Sequence, residues 1–432
     1  MVCRILQMRS EQDWPKLAHM LEGRVESEES VERTVREILA DVALRGDEAV
    51  LEYTRRFDCP DLQPPLRLSG EEILLAAAGV DAEDREIIAR AAANIRTFHE
   101  AQVERSWFMH RPDGVILGQQ VTPVDRVGLY VPGGQGGETP LLSSLLMNAI
   151  PAQVAGVREI AVVSPPRKDG ALSPYILAAA HLLDINEIYR VGGAWAIGAL
   201  SRGTASIPPV DVIAGPGNIW VTTAKRLVQG RVGIDMIAGP SEILIVADSS
   251  ANPAWVAADM LSQAEHDELA SAICITTDSG LADAVLRELE MQCNSLPRAR
   301  TARKALENWG AIVLAPDMDL AVSLSNRIAP EHLELLVQDP WALLPRIRHA
   351  GAVFMGPYSP EAVGDYFAGP NHVLPTQGTA RFASALSVHT FCKRTSIIAA
   401  SKAFARECAD SVARLARLEG LEAHARSAEA RR

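Results

Sequence analysis

"EIAVVSPPRKDGALSPYILAAAHLLDINEIYRVGG", residues 159–193, places two short β-rich runs on either side of a helical one. The first run, "EIAVVSPP", stops at Pro165 and Pro166, which cannot continue a strand ladder. The helical stretch "SPYILAAAHLLD" follows, then the strand-like "EIYRVGG". Immediately after come a second helical stretch, "AWAIGALSRG", and a third β-rich run, "VDVIAGPGN". Strands joined by helical crossovers predict a parallel sheet covered by helices.

The same alternation resumes after residue 241, with "EILIVAD", "SAICITTD", "AIVLAPD", "HLELLV" and "GAVFMGP". Several of these runs end in Asp, Gly or Pro, the residues expected where strands meet ligand-bearing loops. The middle of the chain therefore reads as two parallel-sheet α/β units. On the amino-terminal side, residues 29–57 carry apolar residues at three- and four-residue spacing, predicting an amphipathic helix pair broken at Gly46. Residues 83–103 repeat that pattern. The carboxy-terminal stretch "FARECADSVARLARLEGLEAHARSAEARR" is helical but too polar to form a core of its own, so it is expected to dock on another surface, such as a second subunit.

Bulk properties narrow the function. A chain of 432 residues with 48% hydrophobic and 22% charged residues has the composition of a multi-domain globular protein. A net charge of −12 argues against nucleic acid or an anionic membrane surface as the main partner. No apolar run approaches the roughly 20 residues that span a bilayer, and "MVCRILQMRSEQDW" lacks an apolar core of signal-peptide length. Cys3, Cys59, Cys274, Cys293, Cys392 and Cys408 are scattered without a CxxC pair, which suits a reducing cytoplasm.

Several stretches place chemically active side chains together. "LSQAEHDE" sets Gln263 and His266 three apart, on one face if helical, so both reach one ion; Gln is an unusual zinc ligand, and such a pair is also a common surface coincidence. "GDYFAGPNHVLPT" carries Asp365 and His372 in a Gly- and Pro-rich stretch read as a loop, suited to a ligand and its supporting partner, or to an Asx turn beside a surface histidine. "NRIAPEHLELLV" puts Glu331 and His332 at the mouth of an apolar strand, a pairing suited to acid–base work or to capping. "EGLEAH" separates Glu419 from His424 by about 140° on a regular helix, so they share a face only if Gly420 breaks it. "GPGNIWVTTAKRL" reads as a turn feeding a helix whose free N–H groups suit an anion. "LYVPGGQGGETPLLSS", residues 129–144, is glycine-rich but is not GxGxxG, so the standard dinucleotide fingerprint is absent.

Taken in order, the blocks "VGLYVPGG", "MNAIPAQVAGV", "VGGAWAI", "DVIAGPGNIWVTTAKR", "IDMIAGPSEILIVAD", "SQAEHD", "APEHLEL", "GDYFAGPNHVLPT" and "LEGLEAH" resemble the histidinol dehydrogenase family over nearly the whole chain. The resemblance implies a cytoplasmic, homodimeric, zinc-dependent enzyme that oxidises L-histidinol through the aldehyde to L-histidine with two NAD. It implies two incomplete Rossmann-like domains with a helical amino-terminal segment and a swapped helical carboxy-terminal arm. The divisions expected are an amino-terminal arm over 1–25, a first α/β domain from 26–129 plus 241–386, a second over 130–240, and a dimerisation arm over 387–432. By the same resemblance Gln263, His266, Asp365 and His424 ligate zinc, His424 coming from the partner's arm. Zinc would then be six-coordinate with two substrate nitrogens, which accommodates the Gln. His332 is the general base, Glu331 activates water, and Ser241, His372 and Glu419 contact substrate along with the zinc ligands and His332. Tyr130, Trp195 and Asn218 fall at cofactor-contacting positions.

Two features depart from the family pattern. Trp195 stands where a glutamine is expected, and an indole does not reproduce an amide's paired donor and acceptor. Gln135–Thr139 lengthens the loop after "PGG". Two other readings are weighed against this one: a relative that oxidises another polar alcohol, and a zinc-binding protein without redox activity. Glu419 and His424 argue against the first, and intact Tyr130, Glu331 and His332 against the second.

Overall fold

The computed structural model describes residues 2–24, 28–134 and 141–432. The lengthened loop Gln135–Thr139 lies outside the described residues. Helices and parallel sheets alternate as the sequence predicts. "EIAVVSPP" forms the strand Glu159–Ser164, and its crossover helix is Pro174–Leu182, capped by Ser173, whose side chain accepts from the Tyr175 N–H. Gly46, at φ 58°, divides the helices Glu28–Arg45 and Asp47–Phe57, an angle at which glycine carries no Cβ penalty.

The larger sheet has six strands in the order Arg4–Gln7, Ala311–Leu314, Ser271–Thr276, Glu242–Ala247, His332–Leu336 and Ala352–Met355. Every neighbouring pair is parallel. The three central strands are buried at every position, which explains their mostly apolar composition. Arg4–Gln7 adds an edge strand to this sheet, where only an amino-terminal arm was expected.

The smaller parallel sheet has five strands in the order Ile188–Arg190, Glu159–Ser164, Arg126–Tyr130, Val212–Ala214 and Gly233–Ile234. The boundary expected after residue 129 thus runs through one of its strands. The helix pair 28–57 also belongs with this sheet: Val35, Ile38, Val42, Ala49 and Val50 join Tyr130, Ala161, Val163 and Trp195 in one core. The expected division places those helices with residues 241–386 instead.

A third sheet is antiparallel and joins Cys392–Ala399, Ile116–Pro123 and Trp107–His110. The carboxy-terminal region is therefore not wholly helical: a strand precedes the helices Lys402–Leu418 and Glu422–Glu429. Gly420, at φ 76°, separates those two helices at the expected break. Among the described residues, no helix is long and apolar enough to cross a membrane.

Candidate active site

In the larger sheet the chain runs from Glu242–Ala247 outward through Ser271–Thr276 to Ala311–Leu314, then returns to place His332–Leu336 on the other side. Ligands in such sheets usually lie beyond the carboxyl ends of the strands at this switch. Here the reactive residues gather at the amino ends instead. Ser241 and Glu242 open one strand, and Glu331 and His332 open its neighbour. The reason is visible in the pairing: His332 is registered beside Ile243, so the two strand starts lie side by side.

Glu242 organises the pair through its backbone. Its N–H donates to Glu331 Oε2 at 2.8 Å, and its carbonyl lies 2.9 Å from His332 Nδ1. A carbonyl only accepts, so Nδ1 carries the ring proton and Nε2 is left as the reactive nitrogen. Nε2 is buried, has no hydrogen-bond partner among the described residues, and lies 3.5 Å from Asp365 Oδ1 and 4.0 Å from Glu361 Oε1. Burial alone would push the imidazole down, but the charges of Glu331, Asp365 and Glu361 outweigh it and raise His332 to about 10. Burial pushes the Glu331 carboxyl up to about 8, against the opposing pull of His332 and the Glu242 N–H. Asp365 is held below the usual carboxylate range: burial opposes its charge, and the attraction of His332, with the neighbouring histidines, outweighs it.

Glu361 is a site residue that the sequence reading missed. It is buried, and its Oε2 accepts from Ser262 Oγ at 2.7 Å. Its backbone N–H donates to Glu334 Oε1 at 2.8 Å. Glu361 and Asp365 stand four apart on successive helical turns, Glu361–Val363 and Gly364–Ala368. That i,i+4 carboxylate spacing was the available signal. Asp365 consequently sits on a wide helical turn rather than on the loop expected, whereas His372 does lie in the loop that follows.

These residues face a cavity of about 840 Å³ lined by Ser241, Gln263, His266, Glu331, His332, Glu361, Asp365 and His372. Gln263 sits at the end of the helix Pro253–Ala264, but His266 falls in the turn beyond it, not on the helix as expected. The His266 N–H donates to the Gln263 carbonyl at 3.2 Å, and this tight turn keeps both residues on the cavity wall. Among the described residues, buried Gln263 Oε1 and His372 Nε2, like His332 Nε2, have no hydrogen-bond partner. Orphaned polar atoms at one cavity are the mark of a site shaped for a ligand. His332, Glu361 and Asp365 alone present ligand atoms within 4.8 Å of one another, so the donor set also suits a cation.

The same cavity continues to the carboxyl ends of the smaller parallel sheet, along Pro216, Gly217 and Asn218. Asn218 caps the helix Ile219–Val228, its Oδ1 accepting from the Val221 N–H. Gly215, at φ 121°, passes so close to the Tyr130 carbonyl that a Cβ there would collide with it. The other two expected cofactor positions do not line the cavity. Tyr130 is buried, and its hydroxyl accepts from the Gly193 N–H at 3.3 Å. Trp195 is a core residue: its Nε1 donates to Thr54 Oγ1 at 3.0 Å, and its rings stack on Tyr53 and Phe57. Glu419 and His424 are exposed on the carboxy-terminal arm and are not among the residues lining the cavity within one chain.

Comparison with known proteins agrees with this architecture. The family model described as "Histidinol dehydrogenase" matches residues 21–432. The chain is 68% identical over 432 residues to histidinol dehydrogenase of Nitratidesulfovibrio vulgaris, covering 100% of this chain and 99% of that one. It is 64% identical to the histidinol dehydrogenase of Oleidesulfovibrio alaskensis, covering 100% of both. The crystal structure of histidinol dehydrogenase from Elizabethkingia anophelis superposes with a TM-score of 0.93 at 36% identity, over 100% of this chain and 98% of that one. The chain belongs to the histidinol dehydrogenase family, and with it to the oxidoreductases of histidine biosynthesis.

Proposed function

We propose that this protein oxidises L-histidinol to L-histidine in two successive NAD-dependent steps at one zinc site, as a homodimer in the cytoplasm. The observation that carries the reading is the single cavity holding Glu331, His332 and Asp365 at one end and the Asn218-capped helix start at the other.

Gln263, His266 and Asp365 would hold zinc, with His424 supplied by the arm of a second copy. The orphaned Gln263 Oε1 and the carboxylate of Asp365 fit that role. When bound, zinc would draw on the Asp365 charge, bringing His332 toward the range where it accepts a proton, and would orient the substrate's nitrogens. NAD would supply the hydride acceptor from the smaller sheet's crevice, its phosphates suited to the free N–H groups of the helix Ile219–Val228.

The chain's own residues then divide the proton work. His332 Nε2 takes the alcohol proton as the carbon gives up hydride, leaving the aldehyde. An aldehyde has no second hydride to give until water adds. Glu331, as carboxylate, takes a proton from that water as its oxygen bonds to the carbonyl carbon, while protonated His332 returns its proton to the carbonyl oxygen and becomes a free base once more. His332 removes a proton again as the hydrate loses its hydride, yielding the carboxylic acid. Ser241, His372 and a second copy's Glu419 would position the substrate.

Exposed apolar surface supports the dimer. Val412, Leu415, Leu418 and Leu421 line the arm, and Trp107, Phe108, Met109 and Ile398 lie exposed on the antiparallel sheet. Free cysteines suit a reducing compartment. With zinc, NAD and L-histidinol, purified protein is expected to form NADH, and His332→Ala to lower that rate by about 10²–10⁴-fold. No L-histidinol-dependent NADH from the unaltered protein overturns the reading, and NADH formed only with other alcohols replaces the substrate.

A further inference from the structure

We propose that Arg24, from the amino-terminal segment, is a positioning residue for Glu331 and His332. Its guanidinium is buried at the cavity wall. Nη1 donates to Glu242 Oε1 at 2.6 Å. Nη2 donates to the carbonyls of Pro240 at 3.1 Å and Ser241 at 3.2 Å, and Nε to that of Leu269 at 3.0 Å. Three of these four bonds grip residues 240–242. The peptide groups of Glu242 are the ones that hold the Glu331 carboxyl and the His332 ring. Arg24 thus fixes the strand start whose N–H and carbonyl set the position of both groups, although it touches neither.

The donor count separates this role from direct ligand binding. A guanidinium has five N–H donors, and four are committed to the protein. What remains is too little for the bidentate grip by which arginine captures a carboxylate or phosphate. The planar fork is also the reason for arginine here: a lysine ammonium in the same place reaches fewer of these acceptors in one geometry.

This inference rests on Glu331 and His332 being the reacting pair, so His332→Ala serves as the control in the same assay. Arg24→Ala is expected to lower kcat by about 100-fold at saturating L-histidinol and NAD, because small misplacements of reacting groups cost that much, with each KM staying within about threefold. Guanidinium added at low millimolar concentration is expected to restore at least part of kcat to Arg24→Ala and to leave the unaltered enzyme unchanged. Should Arg24→Ala not fold, Arg24→Lys and Glu242→Gln read the same coupling, each expected to lower kcat by about tenfold with little change in KM. An unchanged kcat in these variants overturns the proposal. So does a raised KM with kcat intact, which would make Arg24 a direct ligand contact. If instead His332→Ala turns over like the unaltered enzyme, the assignment of the pair fails, whatever Arg24 does.

Discussion

Asp58 follows the helix Asp47–Phe57 with its Oδ2 buried and without a partner among the described residues, and burial pushes its carboxyl up to about 7. In the unfolded chain the group titrates near 3.9. The folded state therefore favours the protonated form, and stability is lost as pH rises from the unfolded value through about 7. Asp58→Asn, which mimics the neutral carboxyl, should stabilise the fold more at pH 8 than at pH 5, by about 1–2 kcal/mol once solvent screening at its open side is allowed for. Urea unfolding at the two pH values checks this, and an equal effect at both rules it out. Glu331→Gln should leave the first oxidation nearly intact and slow the second by about 10²–10⁴-fold, so that trapped aldehyde accumulates. Equal slowing of both oxidations removes its assigned part in water addition. Glu331 and His332 were legible in the sequence because they adjoin each other before an apolar run. Glu361 was not singled out, since its meaning depends on Asp365 one turn away and on Ser262 from a distant helix. Arg24 and Glu242 are 218 positions apart, beyond the reach of any local pattern.

The joint between the helices Asp47–Phe57 and Gly193–Arg202 rests on Trp195. Reading Trp195 as a cofactor contact relied on its place in a motif, but its environment is apolar and closed. Trp195→Ala should cost about 3–5 kcal/mol, the range for deleting a buried aromatic side chain. Trp195→Phe should cost less, mainly through the lost bond to Thr54. Chemical denaturation would show it, and a cost within error for Trp195→Ala would mean the indole is not a core element. Strands and crossover helices were legible because the buried strands read as short apolar runs and the helices between them as longer stretches. The antiparallel strand Cys392–Ala399 was not: it is only partly buried, with its apolar residues exposed or half-exposed, so no alternation marks it. The position of the site at the amino ends of the larger sheet was also hidden, since it follows from strand order rather than from any segment.

The single chain forms a cavity onto which Gln263 Oε1, His332 Nε2 and His372 Nε2 are orphaned among the described residues, yet its arm carries Glu419 and His424 elsewhere. Exchange of arms between two copies would complete the site. Mixing His332→Ala with His424→Ala, each inactive alone, should restore part of the activity, because some mixed dimers hold one intact site. Mixtures that stay inactive after subunit exchange would place each arm on its own chain. One site is expected to carry the alcohol through to the acid without releasing the aldehyde. The most direct test of this is the yield of NADH from limiting L-histidinol with excess NAD and zinc. The account predicts about two NADH and one L-histidine for each L-histidinol consumed, from the two hydrides an alcohol loses on reaching the carboxylate. One NADH per L-histidinol with free aldehyde in solution would contradict it.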